Sequence, residues 1–405
     1  MSKIRSIFSW IVQNRVIIVL FSIFVIIYLI AWNRGLVLLY LISALSLATL
    51  VLSFIAPYFN LLGVTASVKH PKSAHQGETI PVIFTMQSPR FLGRYLLELW
   101  WEIPFTQNLH HMFFIAKLRG QQILEAQILC EIRGLHQTGP LYMQTGFPLG
   151  IRVHNKILSE SQSEVLVYPK PVPVSNFTFG SDESSIVHGN IRSNRKGGHD
   201  EFMAIREYKP GDSPRYIHWP TSAKKGELMV REYQDTLSSS LIIVLDLSKA
   251  YNVGKGKHTT LEYAITIAAS LALHALDEGY RVSIFGYSKE KIELVDIVGA
   301  HNHLQVLESL AHARSDGDES YADTLSHFLS FHQKGGTLVL FDNGSGRVNK
   351  KMDFYASHFF KPVLFDIRAK SFKTDIFNKE FTRESTSKQS IYTLEKGCDI
   401  EGIFR

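Results

Sequence analysis

Two stretches near the start of the chain are apolar on every side. Residues 16–32 contain only Ser22 and Tyr28 as polar positions, and residues 36–56 only Tyr40, Ser43, Ser46, Thr49 and Ser53. As helices they would measure about 25 Å and about 31 Å, enough to cross a bilayer core. Only Asn33-Arg34-Gly35 separates them, which forces an antiparallel hairpin with Trp32 and Tyr40 near one interface. From Asn60 to Pro173 the pattern changes to short β-rich runs at 65–69, 80–86, 95–103, 121–132 and 164–169, punctuated by Gly and Pro. That spacing predicts an antiparallel sandwich or barrel.

From Ser239 the pattern changes again. Leu241–Val244, Val282–Phe285, Thr337–Phe341 and Pro362–Phe365 lie in continuous apolar runs, as expected of strands buried on both faces of a parallel sheet. Helical periodicity lies between them. Thr259-Thr-Leu-Glu262 forms a capping box, apolar residues recur at helical spacing from Leu261 to Ala275, and Gly279 stops the helix. Further helices are predicted at 303–313 and 322–331. The fold class read from this pattern is multi-domain. A two-helix transmembrane hairpin at 1–59 (spans 16–32 and 36–56) precedes an antiparallel β-sandwich-like domain at 60–173. A linker and charged block at 174–236, a doubly wound α/β domain at 237–370 and a C-terminal extension at 371–405 follow.

Charge and cysteine refine this picture. The net charge of +6 is modest for 405 residues and suits an anionic membrane surface as well as any other acidic partner. Lys3, Arg5 and Arg15 precede the first span, Arg34 alone lies in the turn, and Lys69 and Lys72 follow the second. The basic residues therefore place both termini and the soluble regions on the cytoplasmic side of a lipid bilayer. The length of the first run and the second span directly after it argue against a cleaved signal peptide. Cys130 and Cys398 have neither disulfide nor zinc spacing and read as buried free thiols in a reducing compartment.

Candidate chemistry gathers at the ends of the parallel strands, where ligands bind in such sheets. Asp246 and Asp342 stand there. The segment Tyr251–Thr259 lies between a strand and a helix, but Tyr251 and His258 occupy places where a phosphate loop needs Gly and Ser or Thr. The adjacent pair His110-His111 sits on a strand, so the two rings face opposite sides and share no ion. Asp246-Leu-Ser248-Lys-Ala250 is similar to the Asp-x-Ser-x-Ser loop of von Willebrand factor type A domains, with Asp342 at a second ligand position. Hard oxygen ligands at Asp246, Ser248 and Asp342 would suit magnesium, whose open position can take a partner's carboxylate. Ala250 supplies no oxygen, and no Thr ligand stands out over 315–321. Capping of helix starts, bonding to loop amides, or neutralisation by Lys249 and Lys255 would account for the same aspartates.

The block Glu201–Glu232 interleaves charges with large aromatics. Residues 186–235 hold nine Lys or Arg against seven Asp or Glu, a balance that favours internal ion pairs over a nucleic-acid surface. Lys209-Pro-Gly-Asp212 reads as a turn that brings Asp212 toward Arg206 or Arg215, and Trp219 offers a face for an arginine. His218 could act as a base, yet no Ser or Cys nucleophile accompanies it, and the block reads chiefly as a clamp between the β-rich and α/β regions. Arg206-x-Tyr208-x-x-Gly211-Asp212, then Arg215-x-Ile217-His218-Trp219, then Arg231-Glu232, resembles the signature of the bacterial family named domain of unknown function 58. The resemblance implies a membrane hairpin, a β-rich segment ending near Gly146–Gly150, the signature, and a von Willebrand A-like domain. It also implies a protein of the bacterial cytoplasmic membrane working with a MoxR-type AAA+ ATPase in assembling or activating protein complexes, with no defined chemistry. The enzyme alternative is a metal-dependent hydrolase using Asp246, Asp342 and His218.

Overall fold

The computed structural model describes residues 15–159, 163–177, 179, 201–209, 217–234, 240–331, 336–359, 361–374, 377–378, 380–386 and 389–405. The chain divides into two compact units between Val167 and Tyr168.

The first unit begins with two long apolar helices, α1 (Arg15–Arg34) and α2 (Val37–Leu61), packed side by side and otherwise largely exposed. Gly35 at φ 63° makes the turn between them. Helix α2 does not stop at Ala56 but runs through Pro57 to Leu61. Proline removes one helical hydrogen bond, yet the last turn is held from outside. Asn60 donates to the Tyr95 carbonyl (2.7 Å) and Thr145 Oγ1 (2.9 Å) and accepts from the Tyr95 amide (3.1 Å). Asn60 and Leu61 are buried.

Ten strands follow: β1 (Thr65–Lys69), β2 (Ser73–His75), β3 (Thr79–Gln87), β4 (Arg94–Glu102), β5 (His110–Leu118), β6 (Gln121–Leu129), β7 (Gly134–Gln137), β8 (Leu141–Thr145), β9 (His154–Ser159) and β10 (Glu164–Tyr168). They form three sheets, β1-β3-β6, β2-β10-β7 and β5-β4-β8-β9, whose recorded pairings are all antiparallel. Strict alternation in β3 (Ile80, Val82, Phe84, Met86) and β8 (Leu141, Met143) sends one face of each into a shared core around Trp101 and Phe105. The short strands β2, β7, β8 and β9 were not separable from loops in the sequence, because three to six residues carry little periodicity.

The second unit starts with β11 (Glu201–Glu207), α3 (Trp219–Lys225) and β12 (Met229–Gln234). Its body comprises β13 (Ser240–Val244), α4 (Thr260–Asp277), β14 (Arg281–Tyr287), β15 (Lys291–Ile297), α5 (His303–His312), α6 (Tyr321–Phe331), β16 (Thr337–Asp342), α7 (Met352–Ala356), β17 (Lys361–Ile367), β18 (Phe381–Ser385), β19 (Ser390–Leu394) and the short α8 (Ile400–Ile403). Seven strands make one sheet in the order β15-β14-β13-β16-β17-β19-β18. The five inner strands are parallel and both edge strands antiparallel. Leu241, Ile243, Val339, Phe341, Val363 and Phe365 pack on one face against α4 and α5; Ile242, Val244, Leu338, Leu340 and Leu364 pack on the other against α6 and α7. The capping box at Thr259 forms, with Oγ1 accepting from the Glu262 amide at 3.1 Å.

The stretch assigned to a C-terminal extension is part of this body. Strand β19 pairs with β17, and Leu394, Cys398, Ile403 and Phe404 lie in the main core. Strand β18 is polar and exposed, and the segment after it is short, so nothing in the local pattern marked them as part of a sheet. Both cysteines are buried, and burial pushes their thiols up to about 11. Phe404→Ala should therefore cost about 3–5 kcal/mol of second-unit stability, measured by denaturant unfolding; an unchanged midpoint would show the C-terminal segment to be dispensable.

Candidate functional site

Register places the carboxylates. Val244 lies opposite Leu340, and Leu340 opposite Leu364. Two residues further on, Asp246 follows the end of β13, while Asp342 and Asp366 are direct partners on β16 and β17. Three neighbouring parallel strands thus deliver three aspartates to the carboxyl edge of the sheet, and period-two alternation puts Asp342 and Asp366 on one face. Asp366 was missed in the sequence. The signal was present, since Leu364-Phe-Asp366 ends a buried run just as Leu340-Phe-Asp342 does.

Asp246 and Asp342 are each partly satisfied by their own loops, whereas Asp366 accepts from Gly344 in the loop after β16. Asp246 Oδ1 accepts from the Ser248 amide (3.0 Å) and hydroxyl (2.6 Å). Asp342 Oδ1 accepts from the Asn343 amide (2.8 Å) and the Ser345 hydroxyl (2.6 Å). These are the loop-amide bonds that the sequence left open as an alternative to metal binding. They do not exhaust the site. Asp342 Oδ2, Asp366 Oδ1 and the Tyr251 hydroxyl are buried without a hydrogen-bond partner, which is costly for polar atoms.

Burial is the first cause that raises the Asp246 carboxyl above its ordinary value, with the charge of Asp342 acting the same way against the two Ser248 bonds. Burial likewise raises Asp366, reinforced by Asp342 and opposed by the Gly344 amide and Arg368. Tyr251 is held well above the usual phenol range by burial and then by the nearby charges of Asp246, Tyr321, Asp342 and Asp366. Tyr321 ties the β13 and β16 ends together, its hydroxyl donating to the Val244 carbonyl (2.9 Å) and accepting from the Phe341 amide (3.3 Å).

A second loop closes over the first. Gly317 exchanges backbone bonds with Leu247 and Lys249, both at 3.1 Å, and Ser315 Oγ donates to the Ser248 carbonyl at 2.5 Å. A Cβ at Gly317 would lie 2.4 Å from the Tyr287 carbonyl oxygen, so this approach requires glycine. Lys249 pairs with Asp318 across these loops, rather than with the edge aspartates as one reading of the sequence had it. Ser315 and Ser320 bond the Ser248 carbonyl and Asp323 respectively, and no Thr joins the edge from 315–321.

Among the described residues, no three His, Cys, Asp or Glu side chains are arranged to hold a metal ion. The available donors are hard oxygens, two of them buried and unpartnered. That donor chemistry suits an octahedral cation held by one or two carboxylates with hydroxyl and water completing the shell, for which Asp246, Ser248 and Asp342 would be the ligands and Asp366 a flanking charge. On the first unit, His110 pairs with Glu102 while His111 Nε2 meets Thr106 Oγ1 at 3.0 Å.

The signature block folds on itself. β11 and β12 form an antiparallel ribbon in which Ile205 lies opposite Arg231 and Ala204 opposite Glu232. The Tyr208 amide bonds the Leu228 carbonyl at 2.9 Å, and Arg206 donates to the neighbouring Glu207 carbonyl. His218 Nδ1 meets Thr221 Oγ1 (2.7 Å), Ser222 Oγ accepts from the Met229 amide (2.8 Å), and Trp219 is 65% exposed. Gly211, Asp212 and Arg215 lie outside the described residues, as does the turn assigned to 209–212 beyond Lys209.

Comparison with known proteins identifies the block. Residues 204–342 match the family described as Protein of unknown function DUF58, as its motif indicated. The "Uncharacterized protein YeaD" of Bacillus subtilis (strain 168) is 25% identical over 198 residues, 48% of this chain, and the chain spans only 46% of that relative's length. Likenesses to solved structures are slight. The CARDB domain of PF1109 from Pyrococcus furiosus gives a TM-score of 0.19 at 11% identity, over 26% of this chain and 94% of that one. A beta-glucosidase from Listeria innocua gives 0.17 at 12%, over 26% and 16%. Scores this low bear no argument about fold.

The raised carboxyls set a pH dependence. A carboxyl whose folded value exceeds its unfolded one binds more protons in the native state. Its contribution is then favourable below the ordinary value of 3.8 and is lost as pH rises through the folded value. Asp366→Asn should remove part of that loss and raise the thermal midpoint at neutral pH more than in acid. An equal change at both pH values would exclude a strained Asp342–Asp366 pair.

Proposed function

We propose that this chain, carrying the DUF58 segment at 204–342, is a membrane-anchored binding protein. Its second unit, read as a von Willebrand A-like domain, presents a magnesium-assisted acidic edge to a partner protein. The observation that carries this reading is the register that sets Asp246 beside Asp342 and Asp366, with Asp342 Oδ2 and Asp366 Oδ1 buried and unpartnered. Such an edge takes a cation, and the cation's open position takes a carboxylate from the partner. Helices α1 and α2 supply the anchor. Both are long and apolar enough to cross a bilayer, and little of either is buried within the protein. Basic residues flanking them favour a cytoplasmic location for both units in a bacterial cytoplasmic membrane.

The β-rich unit, read as sandwich-like, serves as the rigid base of the anchor, and α3 of the signature block offers its exposed Trp219 as a further contact. The partnership implied by the family resemblance, with a MoxR-type AAA+ ATPase that remodels protein complexes, fits a binding role better than a catalytic one. His218 is engaged with Thr221 at the start of α3, and the hydroxyls beside the aspartates, Ser248 and Ser345, donate to those carboxylates. The hydrolase reading therefore has only the metal ligands in its favour.

Affinity purification from solubilised membranes, with and without magnesium, tests the proposal. Asp246→Ala and Asp342→Ala should each reduce recovery of the partner at least tenfold, about 1.4 kcal/mol of binding, and make it insensitive to magnesium. Undiminished recovery from both variants would reject the acidic edge as the binding site. Calorimetric titration of the purified protein with magnesium should show binding that Asp342→Ala abolishes.

A further inference from the structure

The end of α2 is built into the first unit, and the loops around it have an unusual surface. Arg94 donates from its guanidinium to the Leu62 carbonyl (2.7 Å), and a Cβ on Gly63 would lie 2.9 Å from the Pro89 ring. The loop 88–93 therefore sits beside the point where the helix ends. On another side, the Arg152 guanidinium lies over the Phe54 ring at 4.4 Å, and the His154 ring meets Tyr58 at 5.6 Å. Phe54 belongs to the apolar run itself, so the loop 146–153 runs alongside the last turns of the helix. This rim of the sheet unit lies at the depth where α2 leaves its apolar stretch.

The rim exposes large apolar side chains. Phe91 is 89% exposed, and Leu92, Leu149 and Val153 project from the same two loops. Leu96 adopts φ 50°, a conformation leucine rarely takes, and β4 consequently presents both Tyr95 and Leu96 outward where it begins. Arg90, Lys117, Arg119 and Arg152 are interspersed, and residues 88–96, 117–120 and 146–156 contain no Asp or Glu. Arg119 Nε donates to the Arg90 carbonyl (3.1 Å), which holds two cations on one ridge.

We propose that this rim is a second membrane contact. Phe91, Leu92 and Leu149 enter the headgroup region while Arg90, Arg119 and Arg152 bind the phosphates of anionic lipids. Apolar tips amid cations with no acidic residue are the chemistry of an interfacial anchor on an anionic leaflet. The inference rests on α1 and α2 spanning the membrane. It adds that the first unit is held against the bilayer surface and does not swing from it.

The test uses the full chain in nanodiscs of phosphatidylcholine with or without phosphatidylglycerol, carrying an environment-sensitive fluorophore on Phe91→Cys, Leu129→Cys or Leu45→Cys. The native thiols are buried, which restricts labelling to the new site. Leu129 ends β6 eight residues beyond Gln121, about 27 Å further from the rim. Lipids bearing a shallow quencher should extinguish the label at 91, more strongly with phosphatidylglycerol present, and leave the label at 129 bright. A deep quencher should extinguish the label at 45. A quenched label at 45 with a bright label at 91 would overturn the rim contact alone. A bright label at 45 would overturn the membrane hairpin and the rim with it. Equal quenching at 91 in both lipid mixtures would overturn the anionic-phosphate contact, and Arg90→Ala with Arg119→Ala should abolish the difference between the mixtures.

Discussion

Burial of β13, β16 and β17 on both faces is the constraint on which the second unit depends. Each strand is apolar at nearly every position, so helices must cover both sides of the sheet. The chain alternates strand and helix to supply them. Double burial also fixes register, because side chains must interlock with α4 and α5 on one face and α6 and α7 on the other. A slip of one residue would exchange the two faces. The first polar residues beyond the buried runs are then aspartates on three adjacent strands, and they emerge level with one another.

Such an alignment carries an electrostatic cost that the surrounding structure only partly relieves. Ser248, Asn343, Ser345 and Gly344 donate to the carboxylates, whereas Lys249 is drawn away to Asp318. Two carboxylate oxygens and the Tyr251 hydroxyl remain buried and unpartnered. A structure serving stability alone would place a lysine or arginine there. The proposed binding role accounts for like-charged groups kept partly desolvated at a strand edge, since a cation or a donor from a partner would relieve them.

The first unit obeys a different constraint. The apolar helix α2 does not end at a flexible joint but continues through Pro57 into the sheet core, where Asn60 is bonded to two strands. Whatever holds α2 also holds the β-rich unit. The apolar and basic rim around that junction follows from the same geometry, since the loops nearest the helix end are those nearest the bilayer when the helix spans it.

The apolar helices, the continuous strands, the capping box and the signature motif were all legible in the chain, because each is a local pattern of period 3.6, period 2 or fixed spacing. Asp246 and Asp342 could be named as strand-end residues for the same reason. What local pattern could not supply was pairing. Asp366 became part of the site only when β17 took its place beside β16. The polar β18 and the C-terminal segment ending in Phe404 joined the core only through contacts distant in sequence. The ridge formed by Phe91, Arg119 and Arg152 draws on three loops brought together by antiparallel register around the end of α2. The sequence by itself determined the long apolar helices, the long buried strands and the faces they would bury. Only the tertiary structure decided which strand ends and loops became neighbours, because that choice is set by packing between residues far apart in the chain.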